Sequence, residues 1–360
     1  MSLWEGISLV LTGCLRLGEA VPGLGARVLL HAGPAFEGPA VMPRPVVNAA
    51  VAAVLAEGWA DAPEAAEGMI RAGEVAMCPA QEVGVVTPLA CVVAPNMPVL
   101  VVEAGGVKAF SPVSDGALDG ALRFGVSNPA AQVARIGEMV AMEGPLRAAI
   151  GEGVALMPLM SQAIAAGDDL HGSVAAMSAA LADRLGMSGA AEAYARMPLF
   201  ALNAVMAAAA VMLKAGAARA PEPMVIAAGG NGVAFGWMTS DAPGVWQVRA
   251  ATTPEGPRMD GGAAKVLPAI GDSAVIDALG LGGPILRHAP ALREALAPFY
   301  GAEVFEASPA FLAPHPELPE DIHLGCAAAR LGRHPGIMLA MLGAEGEGLV
   351  GRGLAGWPGA

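Results

Sequence analysis

The stretch Pro268–Pro290, PAIGDSAVIDALGLGGPILRHAP, sets glycine-bearing turns on either side of a short apolar segment. Gly271 precedes Asp272 and Ser273, Ala274–Leu279 reads as a helix, and Gly280, Gly282, Gly283 and Pro284 close it. Glycine reaches left-handed backbone conformations and has no Cβ, so such a segment can bring backbone N–H groups and small polar side chains close to an anion. The same residues also suit a tight connection between a helix and a strand. What the flanking chain supplies decides between these two roles.

Upstream, Met224–Ala228, Val233–Thr239 and Val245–Ala251 read as strands separated by Gly-Asn-Gly and Asp-Ala-Pro-Gly turns. The third alternates Trp246, Val248 and Ala250 with Gln247 and Arg249, as a half-buried strand does. Downstream come a helix at Pro290–Phe299, a proline-rich connection at Ser308–Pro319 and a strand at Gly336–Leu342. Gly343–Gly353 reads as a ligand loop or a mobile end.

The N-terminal part repeats the mixture. After twenty residues without a clear pattern, Ala26–Pro34 reads as a strand, and Pro45–Gly58 and Glu64–Ala72 as helices. Val83–Ala94 and Met97–Glu103 have the β-branched content of buried strands, and Lys108–Val113 returns as a hairpin partner. Between the two parts lie about a hundred residues of helical composition, with helices expected over Gly116–Phe124, Pro129–Met142, Pro145–Ile150, Leu156–Ala166, Leu170–Leu185 and Leu199–Gly216. Asn128 before Pro129 suits an N-cap followed by proline in the first turn. Ala217–Pro223 has the composition of a connector. The expected class is α+β, with two mixed α/β lobes and a helical insert between them: 1–114, 115–220 and 221–360.

A length of 360 residues provides for two or three domains with a sizeable core. Hydrophobic residues make up 55% and aromatics only 4%, so the core is built from small side chains. A formal charge of −13 and only three lysines, Lys108, Lys214 and Lys265, argue against nucleic acid and against an anionic membrane surface. A small anionic ligand needs only a local pocket and remains possible. Mean hydropathy is +0.54, and Leu199–Ala215 is the best candidate for a membrane span. Its alanine content, Asn203 and Lys214 fit a buried helix better. The N-terminus lacks a secretory signature, and the expected location is the cytoplasm. Cys14, Cys78, Cys91 and Cys326 have no metal-binding or disulfide spacing. A chain with so few charges is expected to expose apolar patches that association covers, hence an oligomer or partner chains.

The chemistry-bearing clusters are few. Gly167-Asp168-Asp169-Leu170-His171 places two carboxylates beside an imidazole at a helix junction. A carboxylate next to histidine can fix its tautomer for proton transfer, and a helix N-cap explains the aspartates equally well. Gly229-Gly230-Asn231-Gly232 is either a hairpin turn or a backbone donor to an anion. Arg123 is the candidate anion clamp, because guanidinium grips carboxylate or phosphate bidentately. His31, His288, His315, His323 and His334 stand singly and suit structural positions. Neither a phosphate loop nor a dinucleotide fingerprint is present, nor a nucleophile elbow or zinc-protease helix. The candidate catalytic residues are His171, Asp168, Asp272 and Ser273. Those for substrate binding are Arg123, Gly230, Asn231, Gly232, Gly271, Gly282 and Gly283. No metal site is expected, and the sequence does not specify a cofactor.

Several segments carry a resemblance: HAGP at His31, EGWA at Glu57, SDGALDGALRFG at Ser114, GDDLHGSVAA at Gly167, LNAVMAA at Leu202, GGNGVAFG at Gly229 and IGDSAVIDALGLGG at Ile270. In this order they resemble the YlbE-like family, which includes the AllG subunit of oxamate carbamoyltransferase. The resemblance runs from about residue 25 to the tail. It implies an α+β protein that works with other transferase subunits on a small anionic compound, oxamate-like or carbamoyl phosphate, in allantoin and purine breakdown. Carbamoyl transfer needs donors to a developing oxyanion, and the backbones at Gly229–Gly232 and Gly271–Ser273 are the expected source. Where the family tends to have Pro-Cys-His-x-His this chain has Cys78-Pro79-Ala80-Gln81-Glu82, and where it has His-Asn-Arg-Asn this chain has His171-Gly172-Ser173-Val174, so several polar positions of the family pattern are lost. A non-catalytic scaffold or regulatory subunit is therefore the alternative, and a stand-alone small-molecule binder a third reading.

Overall fold

The computed structural model describes residues 3–116 and 119–359. Its helices and strands are mixed along the chain and form an α+β fold with several small sheets. One four-stranded antiparallel sheet runs in the order Val107–Pro112, Pro98–Ala104, Val10–Arg16, Val154–Ala155. The other runs Ile270–Gly271, Val225–Asn231, Ala234–Thr239, Gln247–Ala250. Three strand pairs complete the set. Val28–His31 lies parallel to Ala76–Pro79, whereas Phe311–Pro314 with His323–Cys326 and Ile337–Leu342 with Leu349–Ala355 are antiparallel.

The helix Leu202–Ala217 joins the two larger sheets. Every residue from Leu202 to Leu213 is buried, as expected for a core helix, because Ala207–Ala210 let neighbours approach the helix backbone from all sides. The helix Ala274–Leu279 packs against it and is itself wholly buried. Burial of small side chains removes less apolar area per residue than burial of Leu or Phe, so stability here depends on close approach over many contacts. The largest apolar cluster draws on residues from Trp4 to Trp357, crossing all three sequence segments. A second gathers around the helix Arg44–Ala56.

Several expectations need correction. Val10–Arg16, where no pattern was legible, is an inner strand between Pro98–Ala104 and Val154–Ala155. Val83–Ala94 is not a strand: it follows a 3-10 turn at Ala80–Val83, and only isolated bridges such as Leu30 to Val93 pair it. Pro88 interrupts it, Pro95 follows directly after it, and Leu89 takes a left-handed φ of 47°. Leu170–Leu185 begins as a helix only at Ala175. Of the helix expected at Gly116–Phe124, residues 117 and 118 lie outside the described residues, and Leu122–Phe124 is a single 3-10 turn. Gln247–Ala250 is exposed along its whole length at a sheet edge. The glycine-rich tail holds a paired strand, Leu349–Ala355. No helix among the described residues is long and apolar enough to cross a membrane.

Candidate functional site

A cavity of about 460 Å³ opens where the Leu89 loop, the Arg123 turn, the His171 loop and the start of the Ala274–Leu279 helix meet the last strand pair. Arg123, His171 and Ser273 all line it, although 150 residues separate the first from the last in sequence. Asp168, Asp272, Gly230, Asn231, Gly232, Gly271, Gly282 and Gly283 are not among its lining residues.

His171 is held by its loop and by a distant carboxylate. Asp169 accepts the N–H groups of His171, Gly172 and Ser173 at 3.2, 3.1 and 2.7 Å. Asp168 accepts the Ser173 hydroxyl at 2.7 Å and the Met177 N–H at 2.9 Å, which caps the helix Ala175–Leu185. Burial pushes the Asp169 carboxyl above its ordinary range, opposed by those three N–H donors. Both aspartates thus build the loop. Leu170 between them and His171 sits at φ 68°, a left-handed conformation costing a non-glycine residue roughly 1–3 kcal/mol, which the packing around it must sustain.

The carboxylate facing the imidazole is Asp277, which sequence reasoning missed. His171 Nδ1 lies 2.7 Å from Asp277 Oδ2, both side chains buried. A carboxylate only accepts, so Nδ1 carries the proton and Nε2 is left as the basic nitrogen. Asp277 Oδ1 accepts from the N–H groups of Gly283 and Met338 at 2.8 and 3.0 Å. The glycine pair serves this carboxylate: a Cβ at Gly282 would stand 2.6 Å from Asp277 Oδ1 and 3.0 Å from the His171 Cβ. One at Gly283 would stand 2.6 Å from the Gly336 carbonyl oxygen. A lone aspartate inside the apolar AVIDAL helix, followed by G-L-G-G, was the available signal.

Ser273 begins that helix, yet its hydroxyl caps nothing and has no hydrogen-bond partner among the described residues. Ser273 is 2% exposed, so its hydroxyl is a buried polar group on a residue that lines the cavity. Arg123 shares this property in part. Its guanidinium pairs with Asp115, donates to the Gly116 carbonyl at 2.9 Å and lies over the Phe124 ring at 4.6 Å, while its Nε has no partner among the described residues. Burial lowers Arg123 to about 10.

Asp272 points away from the cavity and clamps three segments. Its Oδ1 accepts from Gly33 N at 2.9 Å and Gln81 Nε2 at 2.6 Å, and its Oδ2 from Thr87 N at 3.0 Å. The glycines around it permit this closeness, because a Cβ on Gly229 would overlap Asp272 Oδ1 and one on Gly33 would press on the Gly230 backbone. Gly271, at φ 116°, abuts the Leu89 backbone and so sets Ser273 beside it. Gly230 and Asn231 lie in the strand Val225–Asn231, paired with Gly271 and Ile270. Asn231 closes the turn, accepting from Val233 and Ala234 N–H, and its amide donates to the Pro34 carbonyl at 2.9 Å. Gly232 takes φ 85° in that turn. No cluster of three or more metal-ligating side chains occurs among the described residues.

Burial pushes Asp272 up to about 7 against the pull of its three donors. In an unfolded chain an aspartate titrates near ~3.9. Its folded-state value is raised, so its contribution to stability is fully present below the unfolded ~3.9 and is lost progressively as pH rises from there through about 7. Asp272→Asn cannot titrate. Its Tm is expected to fall less steeply than that of the wild type between about pH 4 and pH 7, whatever its absolute stability. Parallel Tm profiles for the two proteins would refute this.

Fold and cavity define an α+β protein that sets a buried acid–histidine pair and an unpartnered serine around one small cavity. Residues 75–273 match the family model of the oxamate carbamoyltransferase subunit AllG, and the chain belongs to that family. It is 30% identical over 300 residues to the oxamate carbamoyltransferase subunit AllG of Escherichia coli K12, spanning 78% of this chain and 70% of that one. It is also 30% identical over 303 residues to the uncharacterized protein YahG of the same strain, spanning 79% and 63%. A crystal structure of a conserved protein of unknown function from Enterococcus faecalis V583 superposes with a TM-score of 0.87 at 26% identity, covering 98% of this chain and 92% of that one. The family match includes Arg123, His171 and Ser273 and ends before Asp277.

Proposed function

We propose that this chain is a subunit of a carbamoyltransferase-type complex and that its cavity holds a small carbamoyl or carboxylate compound, such as oxamate or oxalurate, during exchange with phosphate. The observation that carries this reading is the convergence of Ser273 and the His171–Asp277 pair on one cavity in a member of the AllG family. In the phosphorolytic direction a phosphate oxygen attacks the carbamoyl carbon of oxalurate. The C–N bond then breaks, the released amide nitrogen takes a proton, and carbamoyl phosphate and oxamate result. His171 Nε2 takes the proton of the attacking phosphate and passes it to the leaving amide nitrogen, with the reverse order in the other direction, and Asp277 stabilises the imidazolium formed in between. The Ser273 hydroxyl donates to the carbonyl oxygen as it gains charge. The backbone N–H groups of Gly33 and Gly283, taken up by Asp272 and Asp277, play no part in this.

Ser273→Ala in the reconstituted complex tests it. Loss of one oxyanion donor is expected to lower kcat by ~10²–10³ with complex assembly unchanged. Wild-type rates in Ser273→Ala would instead favour the scaffold alternative, in which only interface variants are defective.

A further inference from the structure

The charges around the cavity are unequal in their pairing. Arg123 is matched by Asp115. Arg258 is matched by Asp260, with contacts of 2.9 and 2.6 Å, and Asp260 also accepts the N–H groups of Gly262 and Ala264. Arg352, the third arginine lining the cavity, has no carboxylate partner among the described residues. Its only side-chain hydrogen bond among them is a long one, 3.4 Å from Nη1 to the carbonyl of Gly172, next to His171.

The fold holds Arg352 in this place. A Cβ at Gly351 would stand 2.6 Å from the Pro257 carbonyl oxygen, and one at Gly353 would overlap that of Glu255. The two glycines therefore let residues 255–258 lace along the strand Leu349–Ala355, bridging Glu255 to Leu354 and Arg258 to Gly351. Arg352, the residue between them, remains exposed at the rim of the cavity. The polar groups from Ser273 and His171 differ from it in being a hydroxyl and an imidazole, suited to an amide or carbonyl. Leu89, Phe124, Leu202 and Met338 supply apolar lining.

We infer that the cavity takes a monoanion with two unlike ends: a carboxylate received by Arg352 and an amide end received by Ser273 and His171. A single unmatched cation suits one carboxylate and leaves a phosphate dianion under-compensated. The countercharges for phosphate then belong to another subunit of the complex. This inference rests on the function proposed above and divides its two substrates between chains.

Titration calorimetry of the full chain with oxamate, with neutral oxamide and with inorganic phosphate tests it. Oxamate is expected to bind, oxamide to bind about tenfold or more weakly, and phosphate not to displace oxamate. Arg352→Gln is expected to weaken oxamate about 10- to 100-fold, down to the oxamide level, and leave oxamide unchanged, while Arg352→Lys recovers part of the loss. Because Arg352 is exposed, neither variant threatens the fold. Phosphate bound in competition with oxamate, wild-type oxamate affinity in Arg352→Gln, or no oxamate binding by the chain or the reconstituted complex would each overturn the inference. The first two outcomes, with Ser273→Ala still slow, reject this division of substrates alone. Wild-type turnover in Ser273→Ala rejects the function beneath it.

Discussion

His171→Ala is expected to lower turnover of the reconstituted complex by ~10²–10⁴ with the size of the complex unchanged, while the thermal midpoint of the chain falls modestly because the buried Asp277 keeps only its backbone donors. The imidazole's hydrogen bond is to Asp277, and the loop that carries it is built by Asp168 and Asp169, so the loop is expected to persist without it. Asp277→Asn separates orientation from presence. An asparagine keeps an acceptor for Gly283 and Met338 but can donate to Nδ1, which forces the proton onto Nε2 and disarms the base. It is expected to lose much of the same factor. Steady-state rates decide the matter, and a His171→Ala complex within twofold of wild type would remove the imidazole from the chemistry.

The largest stability effect is expected at Asp115. Asp115 and Arg123 are 2% and 3% exposed, and Asp115 also accepts the Arg123 backbone N–H at 2.8 Å. Asp115→Ala leaves a buried guanidinium without its countercharge, a loss expected to cost about 3–5 kcal/mol. Asp115→Ala with Arg123→Met removes both charges and is expected to recover most of that. Urea midpoints measure both, and a single variant within about 0.5 kcal/mol of wild type would mean that solvent or a neighbour already neutralises the arginine.

What could be read from the sequence was local. The helix Ala274–Leu279 and the Asn128 cap before Pro129 follow from composition and capping chemistry within a few residues, and both are present, Asn128 Oδ1 accepting from Ala131 N at 3.2 Å. Leu202–Ala217 is legible for the same reason. The inner strand Val10–Arg16 was not, because Thr12, Gly13 and Arg16 break its apolar pattern and pairing on both sides overrides propensity. The tail was misread because glycine marks close backbone approach as readily as mobility, and Gly351 and Gly353 serve the former.

At the cavity, Arg123, His171 and Ser273 could be picked out by residue type and neighbouring glycines. Their partners could not. Asp168, three residues away, was the natural mate for His171, whereas the contact made is with Asp277, 106 residues on. Gly229–Gly232 and Gly280–Gly283 look like anion cradles in sequence. In the fold the anions beside Gly229, Gly282 and Gly283 are the protein's own Asp272 and Asp277. Arg352 carries no local signal beyond its two glycines.

The proposed function places the carbamoyl compound in this chain's cavity. The most direct measurement is a crystal structure of the assembled complex with oxalurate or oxamate bound. Ligand density is expected between Ser273 Oγ, His171 Nε2 and the Arg352 guanidinium; density confined to another subunit, with these three side chains untouched, would place the chemistry elsewhere.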